Sequence, residues 1–147
     1  MSDPRESGGE PARGVVVAHG GLAEGLVGAV RQIAGAAPED LCAVHNRGLG
    51  REELCACILA ELTGPRNLIF TDLPSGSCHL AALIVTRKRP GVPVITGVNL
   101  PMLLDFVFHR KLAFEELVPS LADRGRSAIG GNRPRPVAGG FPGAAGP

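Results

Sequence analysis

The sequence contains no tryptophan and no tyrosine, and only five phenylalanines among its 147 residues. Single-stranded nucleic acids bind largely by stacking their bases on aromatic side chains, so a binding surface of that kind is excluded. The charge is balanced, with 15 Lys and Arg against 14 Asp and Glu, and the basic surplus of a nucleic-acid-binding domain is missing. We therefore expect no nucleic-acid partner and a core built from aliphatic residues and alanine.

Long hydrophobic runs are also missing. No apolar stretch approaches the ~20 residues that a membrane-spanning helix needs. The opening residues, MSDPRE, are too polar for a secretory signal. We therefore expect a cytoplasmic protein that does not insert into a membrane.

Cysteine is scarce, with four in the chain. Cys55 and Cys57 are separated by one residue, which is the wrong spacing for a zinc knuckle. Both fall in an apparent helix, where cysteine commonly packs as a small hydrophobic side chain. We expect reduced cysteines that serve packing, with no metal and no cofactor.

The length fits one ordinary domain. Residues 1–12 mix proline, glycine, serine and charge without periodicity, which predicts a flexible leader. Residues 130–147 contain six Gly and four Pro without an apolar period, which is typical of a disordered tail. The folded domain is thus predicted over 13–129.

Within this domain, short apolar runs alternate with helical patterns. The apolar runs, bounded by turn residues, predict strands over 14–18, 41–44, 67–71 and 92–96. Helices are predicted from 22 to 33 and over 52–62 and 77–88. Residues 101–110 and 114–121 are predicted to form either one kinked helix or two short ones. Four repeats of strand and helix are typical of a three-layer α/β/α sandwich with a mainly parallel sheet. Pro93 favours either an edge position for the fourth strand or a place at the start of that strand. Residues 124–129 are candidates for a further short edge strand.

Helical spacing also predicts which side chains face the sheet. These are Leu22, Leu26, Val30 and Ile33 in the first helix, and Leu80, Leu83 and Ile84 in the third.

Polar and small residues follow the predicted strands. In an open α/β sheet, ligands bind outside the carboxyl ends of the strands, so these positions are the first candidates for a functional site. His19 follows the first strand and Asp72 follows the third. The adjoining loop residues are Gly20, Gly21, Ser75, Gly76 and Ser77, with Asn99 after the fourth strand.

Two interpretations of these residues stay open on this evidence alone. If the two strands are neighbours, Asp72 can fix the tautomer of His19 and leave the other ring nitrogen as a nucleophile for phosphoryl transfer. Alternatively, His19 is an ordinary turn residue and Asp72 a helix cap, because such roles are common. The pair Gly20 and Gly21 either permits a tight turn or lets a phosphate approach the backbone.

Three segments in order resemble the mannose-family enzyme IIA component of the bacterial phosphoenolpyruvate-dependent sugar phosphotransferase system. They are GVVVAHGGLA at 14–23, IFTDLPSGSCHLAA at 69–82 and VITGVNLPML at 94–103. The resemblance extends over about residues 13–129. It departs from the family at Leu73, where a threonine is common, and at residues 75–78, SGSC, where the family commonly has Gly-Gly-Ser-Pro.

The resemblance implies both a fold and a function. The sheet order would be 2-1-3-4, often extended by an antiparallel strand near the C-terminus that helps form a homodimer. His19 would accept a phosphoryl group on Nε2 from the phosphocarrier protein HPr and pass it to an enzyme IIB component, alongside a membrane permease complex. Asp72 would orient the ring through Nδ1, and Ser77 would lie in the phosphate-contacting loop.

Two other functions are alternatives. One is a regulatory module with the same phosphohistidine but no role in sugar transport, because phosphorylation at a helix mouth can switch a binding surface. The other is a hydrolase using Ser77, His19 and Asp72, although Ser77 does not lie in a Gly-x-Ser-x-Gly motif.

Overall fold

A computed structural model describes residues 4–6 and 9–137. Its strands are β1 (Arg13–Ala18), β2 (Leu41–His45), β3 (Asn67–Thr71) and β4 (Val94–Thr96). All three strand pairings are parallel, and the order is β2-β1-β3-β4, as the resemblance implied. β4 lies at an edge of this sheet. Pro93 comes immediately before it, so its missing N–H removes no hydrogen bond from a central strand.

Five helices cover the two faces of the sheet. They are α1 (Leu22–Ala34), α2 (Arg51–Glu61), α3 (Ser77–Lys88), α4 (Leu100–Phe108) and α5 (Phe114–Ser127). Alternate side chains of the strands point to opposite faces, so the core has two halves. Val16 and Phe70 pack with α1, α4 and α5, whereas Val15 and Ile69 pack with α2 and α3. The predicted three-layer fold is confirmed.

None of the described helices is long and apolar enough to cross a membrane.

The inward face of α1 differs from the prediction. Ala23, Val27 and Val30 are buried, whereas Leu22 and Ile33 are exposed. The predicted stripe and the buried stripe share Val30, and the predicted Leu26 is half-buried against the core. The two stripes lie about one residue apart around the helix. The smaller side chains of the buried stripe permit a closer approach to the sheet.

The inward face of α3 also differs from the prediction, because small side chains allow closer packing against the sheet. Leu80 and Leu83 are exposed, and the buried residues are small. The buried residues are Cys78, Ala81, Ala82 and Val85. Short side chains let the start of α3 pack tightly beside the sheet.

The short edge strand predicted over 124–129 is not formed, because α5 continues through most of this segment. Leu117, Leu121 and Gly125 are buried at intervals of four residues, which keeps one face of α5 against the domain. At Gly125 the backbone carbonyl accepts a hydrogen bond from Asn99 Nδ2 at 2.9 Å. This contact with the start of α4 favours helix over strand.

Part of the predicted leader contacts the domain. Glu6 forms an isolated antiparallel bridge with Leu112. Ala12 is buried, and its N–H donates to the carbonyl of Arg110 at 2.8 Å.

Residues 130–137, the described part of the predicted tail, form neither helix nor strand. All of them are exposed. Residues 1–3, 7–8 and 138–147 of the predicted leader and tail lie outside the described residues.

Candidate active site at the ends of the first and third strands

His19 and Asp72 meet at the carboxyl edge of the sheet. β1 and β3 are neighbours, and each of the two residues comes directly after its strand. The ring Nδ1 of His19 lies 2.9 Å from Asp72 Oδ2, and the backbone N–H of His19 donates to the same oxygen at 3.0 Å. The parallel pairing therefore produces a two-point contact between residues 53 positions apart in sequence.

The carboxylate of Asp72 is ionised at neutral pH. Burial acts to raise its pKa, but the hydrogen bonds from the backbone and ring of His19 and the attraction of that ring outweigh this, and the pKa is lowered. An ionised carboxylate only accepts hydrogen bonds, so Nδ1 carries the proton in this contact. In the neutral ring, the lone pair is then on Nε2.

Exposure of the pair suits a reaction with an outside partner. The side chain of Asp72 is 9% exposed and that of His19 is 42% exposed. The carboxylate is thus held in place while the ring reaches solvent.

Two helix N-termini flank His19. α1 begins after Gly21 and α3 begins after Gly76, and neither N-cap makes a side-chain hydrogen bond. Free N–H groups at a helix N-terminus attract anions. These N-termini would attract a phosphate, and the role of Gly21 and Gly76 beside it stays a prediction.

Gly76 also keeps the space beside the ring open. A Cβ at this position would lie 3.6 Å from His19 Cε1 and 3.8 Å from Nε2, and the φ angle of +89° is one that other residues rarely adopt. A methyl group at this position would therefore lie in van der Waals contact with the ring beside Nε2.

Asn46 joins the two loops of the site and was missed by sequence reasoning. Its Oδ1 accepts from the N–H of Gly20 at 3.2 Å, and its Nδ2 donates to Ser77 Oγ at 3.4 Å. Asn46 follows β2, which pairs with β1. The same rule of strand carboxyl ends that selected His19 would have selected it.

The other predicted loop residues are placed differently. Ser75 and Ser77 are exposed beside the site. Asn99 caps α4 by accepting from the N–H of Met102 at 3.1 Å, and its amide donates to Gly125. Its described hydrogen bonds hold α4 and α5 and do not reach His19 or Asp72.

The remaining histidines have local partners. His45 Nδ1 accepts from the N–H of Arg47, and His79 Nδ1 lies 3.0 Å from the Thr71 hydroxyl. His109, at the end of α4, has its Nδ1 near Asp105, at 2.8 Å from the carbonyl and 3.3 Å from the carboxylate. These contacts lie at the end of β2, in the first turn of α3 and at the end of α4.

The cysteines divide by exposure. Cys42 and Cys78 are buried, Cys55 is half-buried and Cys57 is exposed. Burial is the main cause that raises the pKa of Cys42 to about 12, and it also raises the pKa of Cys78. The packing role predicted for Cys57 is wrong, because that side of α2 faces solvent.

The pKa of Asp72 predicts a pH-dependent stability. A carboxyl whose pKa is lowered on folding stabilises the protein above its unfolded pKa of about 4, and this contribution is lost as the pH falls through the folded value. We therefore expect Asp72→Asn to lower the urea midpoint more at pH 7 than at about pH 3.

The control for this measurement is Asp123→Asn, which alters an exposed carboxylate paired with Arg126 on α5. Its effect should be small at both pH values. An equal loss for Asp72→Asn at both pH values would show that the carboxylate charge does not stabilise this contact.

The fold is similar to that of solved phosphotransferase-system proteins. The EIIA component from Streptococcus agalactiae is 21% identical with a TM-score of 0.75, and the match covers 82% of this chain and 96% of that chain. The mannose/sorbose-specific IIA subunit from Enterococcus faecalis is 23% identical with a TM-score of 0.72, and the match covers 88% of this chain and all of the other. At these identities the similarity concerns the fold. No curated protein sequence matches this chain at a significant level.

The family is established by the sequence itself. The profile of the EIIA-man family, described as the PTS system fructose IIA component, matches residues 14–121. This range includes β1 from its second residue, the other three strands, the first part of α5, and both His19 and Asp72. The chain belongs to the EIIA-man family of phosphotransferase-system IIA components.

Proposed function

We propose that this protein carries a phosphoryl group on Nε2 of His19, taking it from phosphorylated HPr and passing it to an enzyme IIB component. Membership of the IIA family supports a phosphocarrier role in the phosphotransferase system. The observation that carries the residue-level proposal is the contact of Nδ1 with Asp72, which leaves Nε2 with the lone pair.

The proposed reaction is one displacement at phosphorus. The Nε2 lone pair of His19 forms a bond to phosphorus, and the bond between phosphorus and the donor atom of HPr breaks, with its electron pair staying on that donor atom. The ring of His19 gains positive character during attack, which the Asp72 carboxylate stabilises through the Nδ1 proton. Transfer to IIB is the same step with IIB as the acceptor.

The surroundings of His19 favour an incoming phosphoryl group. The uncapped N-termini of α1 and α3 supply free N–H groups and a partial positive charge. Asn46 holds the loops after β1 and before α3 together through Gly20 and Ser77. The phosphoryl group would thus meet donors that are already in place.

A protein donor also fits the surface around the site. Leu22, Leu73 and Leu80 are exposed and lie close in sequence to Gly21, Asp72 and the first turn of α3. Exposed apolar residues around a polar centre are typical of surfaces that bind another protein. We assign this rim to HPr and IIB.

We place this relay in the cytoplasm, with HPr and with a IIB component associated with a membrane permease complex. The homodimer is inferred from the family. It stays a prediction, and the C-terminal strand that would help form it is not present over the described residues 124–137.

The hydrolase alternative has no geometric support. Ser77 Oγ is hydrogen-bonded to Asn46, and no described hydrogen bond joins it to His19. Nδ1 of His19 is already oriented by Asp72. A serine nucleophile would need a direct contact with the ring.

The experiment that tests the proposal is incubation with phosphoenolpyruvate, enzyme I and HPr. We expect intact-mass spectrometry to show the addition of one phosphoryl group that is labile in acid and stable in base. The reaction without HPr is the control and should show none. Failure to acquire the group from phosphorylated HPr would contradict the proposal.

Gly76→Ala should slow phosphoryl acceptance by about tenfold or more, because a 1 Å displacement near reacting atoms can cost more than this. The new methyl group would occupy space beside Nε2, and the strained backbone would shift the loop. The matched control is Gly91→Ala, which has a similar φ of +97° but no atom within 4 Å of the new Cβ. Both variants should lose stability, but only Gly76→Ala should accept phosphate slowly. Equal transfer rates would show that Gly76 does not control access.

A further inference from the structure

Three side chains with metal-binding donor atoms meet at this site. A ring nitrogen of His19, a carboxylate oxygen of Asp72 and the sulfur of Cys78 all lie within 4.8 Å of one another. Over the described residues, no other three His, Cys, Asp or Glu side chains form such a group. The phosphoryl relay uses His19 and Asp72 but gives no role to Cys78.

The three donors come from three different parts of the fold. His19 follows β1, Asp72 follows β3, and Cys78 is in the first turn of α3. Cys78 is fully buried and Asp72 nearly so, whereas His19 is 42% exposed. The Cys78 and Asp72 donors are thus held inside the protein, and the His19 donor is open to solvent.

We propose that His19, Asp72 and Cys78 bind a zinc ion, and that bound zinc and the phosphoryl group on His19 exclude each other. The second part rests on the proposed phosphocarrier function, whereas the first does not.

The donor set and its spacing suit zinc. Nitrogen, sulfur and carboxylate oxygen are the ligands that Zn²⁺ takes, whereas Mg²⁺ and Ca²⁺ prefer oxygen alone. Zinc–ligand bonds of about 2.0–2.3 Å in a tetrahedron place ligand atoms about 3.4–3.6 Å apart. The separations of up to 4.8 Å therefore need to close by about 1 Å, which side-chain rotation can supply. A water molecule would complete the tetrahedron from the open side.

Binding of one zinc ion releases one proton from the three ligands. Zinc binding displaces one proton from the thiol of Cys78 to solvent, because the metal ligand is the thiolate. Asp72 is already ionised and releases none. His19 binds as the neutral ring, with its proton on the nitrogen that does not hold the metal.

Mutual exclusion follows from this ring chemistry. A neutral imidazole has one nitrogen with an available lone pair. If zinc takes Nε2, the attacking atom is blocked. If zinc takes Nδ1, the proton moves to Nε2, and that nitrogen is no longer a nucleophile. A phosphorylated Nε2 would likewise need its proton on Nδ1, facing Asp72.

The first test uses cobalt as a spectroscopic probe for zinc. Titrating the wild-type protein with Co²⁺ alone should produce a near-ultraviolet thiolate-to-cobalt band that saturates at one equivalent, and Zn²⁺ should abolish the band. Cys57→Ala, which removes an exposed thiol, should leave it unchanged. Cys78→Ala should remove it. A missing band in the wild type, or a band that survives Cys78→Ala, would overturn the metal site.

The second test measures exclusion. Stoichiometric Zn²⁺ should slow phosphoryl acceptance at least tenfold in the wild type and in Cys57→Ala. For Cys78→Ala, the rate with Zn²⁺ should stay close to the rate of the same variant without metal. Equal inhibition of Cys78→Ala would overturn exclusion through this site.

If Cys78→Ala does not fold, His19→Ala tests the metal site instead, since it should bind Co²⁺ at least tenfold more weakly than the wild type. If the metal-free wild type accepts no phosphate, the phosphocarrier function fails, and the cobalt band still decides the metal site.

Discussion

His19→Ala is expected to abolish phosphoryl acceptance, with a loss of at least about 10³-fold in rate, because removal of a nucleophile leaves no atom to form the bond to phosphorus. Asp72, the side chain that contacts the ring, is a carboxylate and offers no nitrogen in its place. The measurement is intact-mass spectrometry during incubation with phosphoenolpyruvate, enzyme I and HPr.

The fold should survive this change. Asp72 keeps the hydrogen bonds from the backbone N–H groups of residues 19 and 73, so the loss is limited to the ring contact. We expect a cost of about 1–2 kcal/mol, which a domain of ordinary stability tolerates. The matched control is His45→Ala, which removes the histidine at the end of β2 and should be phosphorylated normally. Full phosphorylation of His19→Ala would refute the assignment.

Asp72→Asn should slow phosphoryl acceptance by on the order of 10²–10³-fold without abolishing it. The asparagine oxygen can still accept from His19, but the charge that stabilises the ring during attack is lost. If the amide nitrogen turns toward Nδ1 instead, the ring proton moves to Nε2 and removes the nucleophile. The measurement is the rate of transfer from phosphorylated HPr in a rapid-quench experiment.

A second carboxylate–histidine contact provides the control for Asp72→Asn. Asp105 lies 3.3 Å from His109 Nδ1 on α4, in the same kind of pair but outside the site. Asp105→Asn should therefore transfer at the wild-type rate. If Asp72→Asn also transferred at that rate, the carboxylate would have no part in the reaction.

The strands could be predicted because they depend on local signals. The pairing of His19 with Asp72 was predicted only on the condition that their strands are neighbours, an order that the family resemblance implied. Short apolar runs bounded by turn residues mark buried parallel strands, and residues just after such strands converge at one edge of the sheet. His19 and Asp72 satisfy this rule directly. The same rule applies to Asn46, which follows β2. Its role was missed because polar residues are ordinary in a turn.

Packing details could not be predicted, because they depend on distances between elements. In α3 the leucines and the small residues both recur at helical spacing, and only the close approach to the sheet selects Ala81 and Ala82 for the interior. In α5 the segment after Leu121 stays helical because Gly125 contacts Asn99, which is 26 residues away. No local pattern contains that contact.

The most direct test of the central claim is nuclear magnetic resonance of the protein labelled with ¹⁵N in its histidines and phosphorylated through HPr. Long-range proton–nitrogen correlations identify which ring nitrogen carries phosphorus. We predict one phosphorylated ring, His19, with the group on Nε2 and a protonated Nδ1. Phosphorylation of Nδ1, or of His45, His79 or His109 instead, would contradict the account.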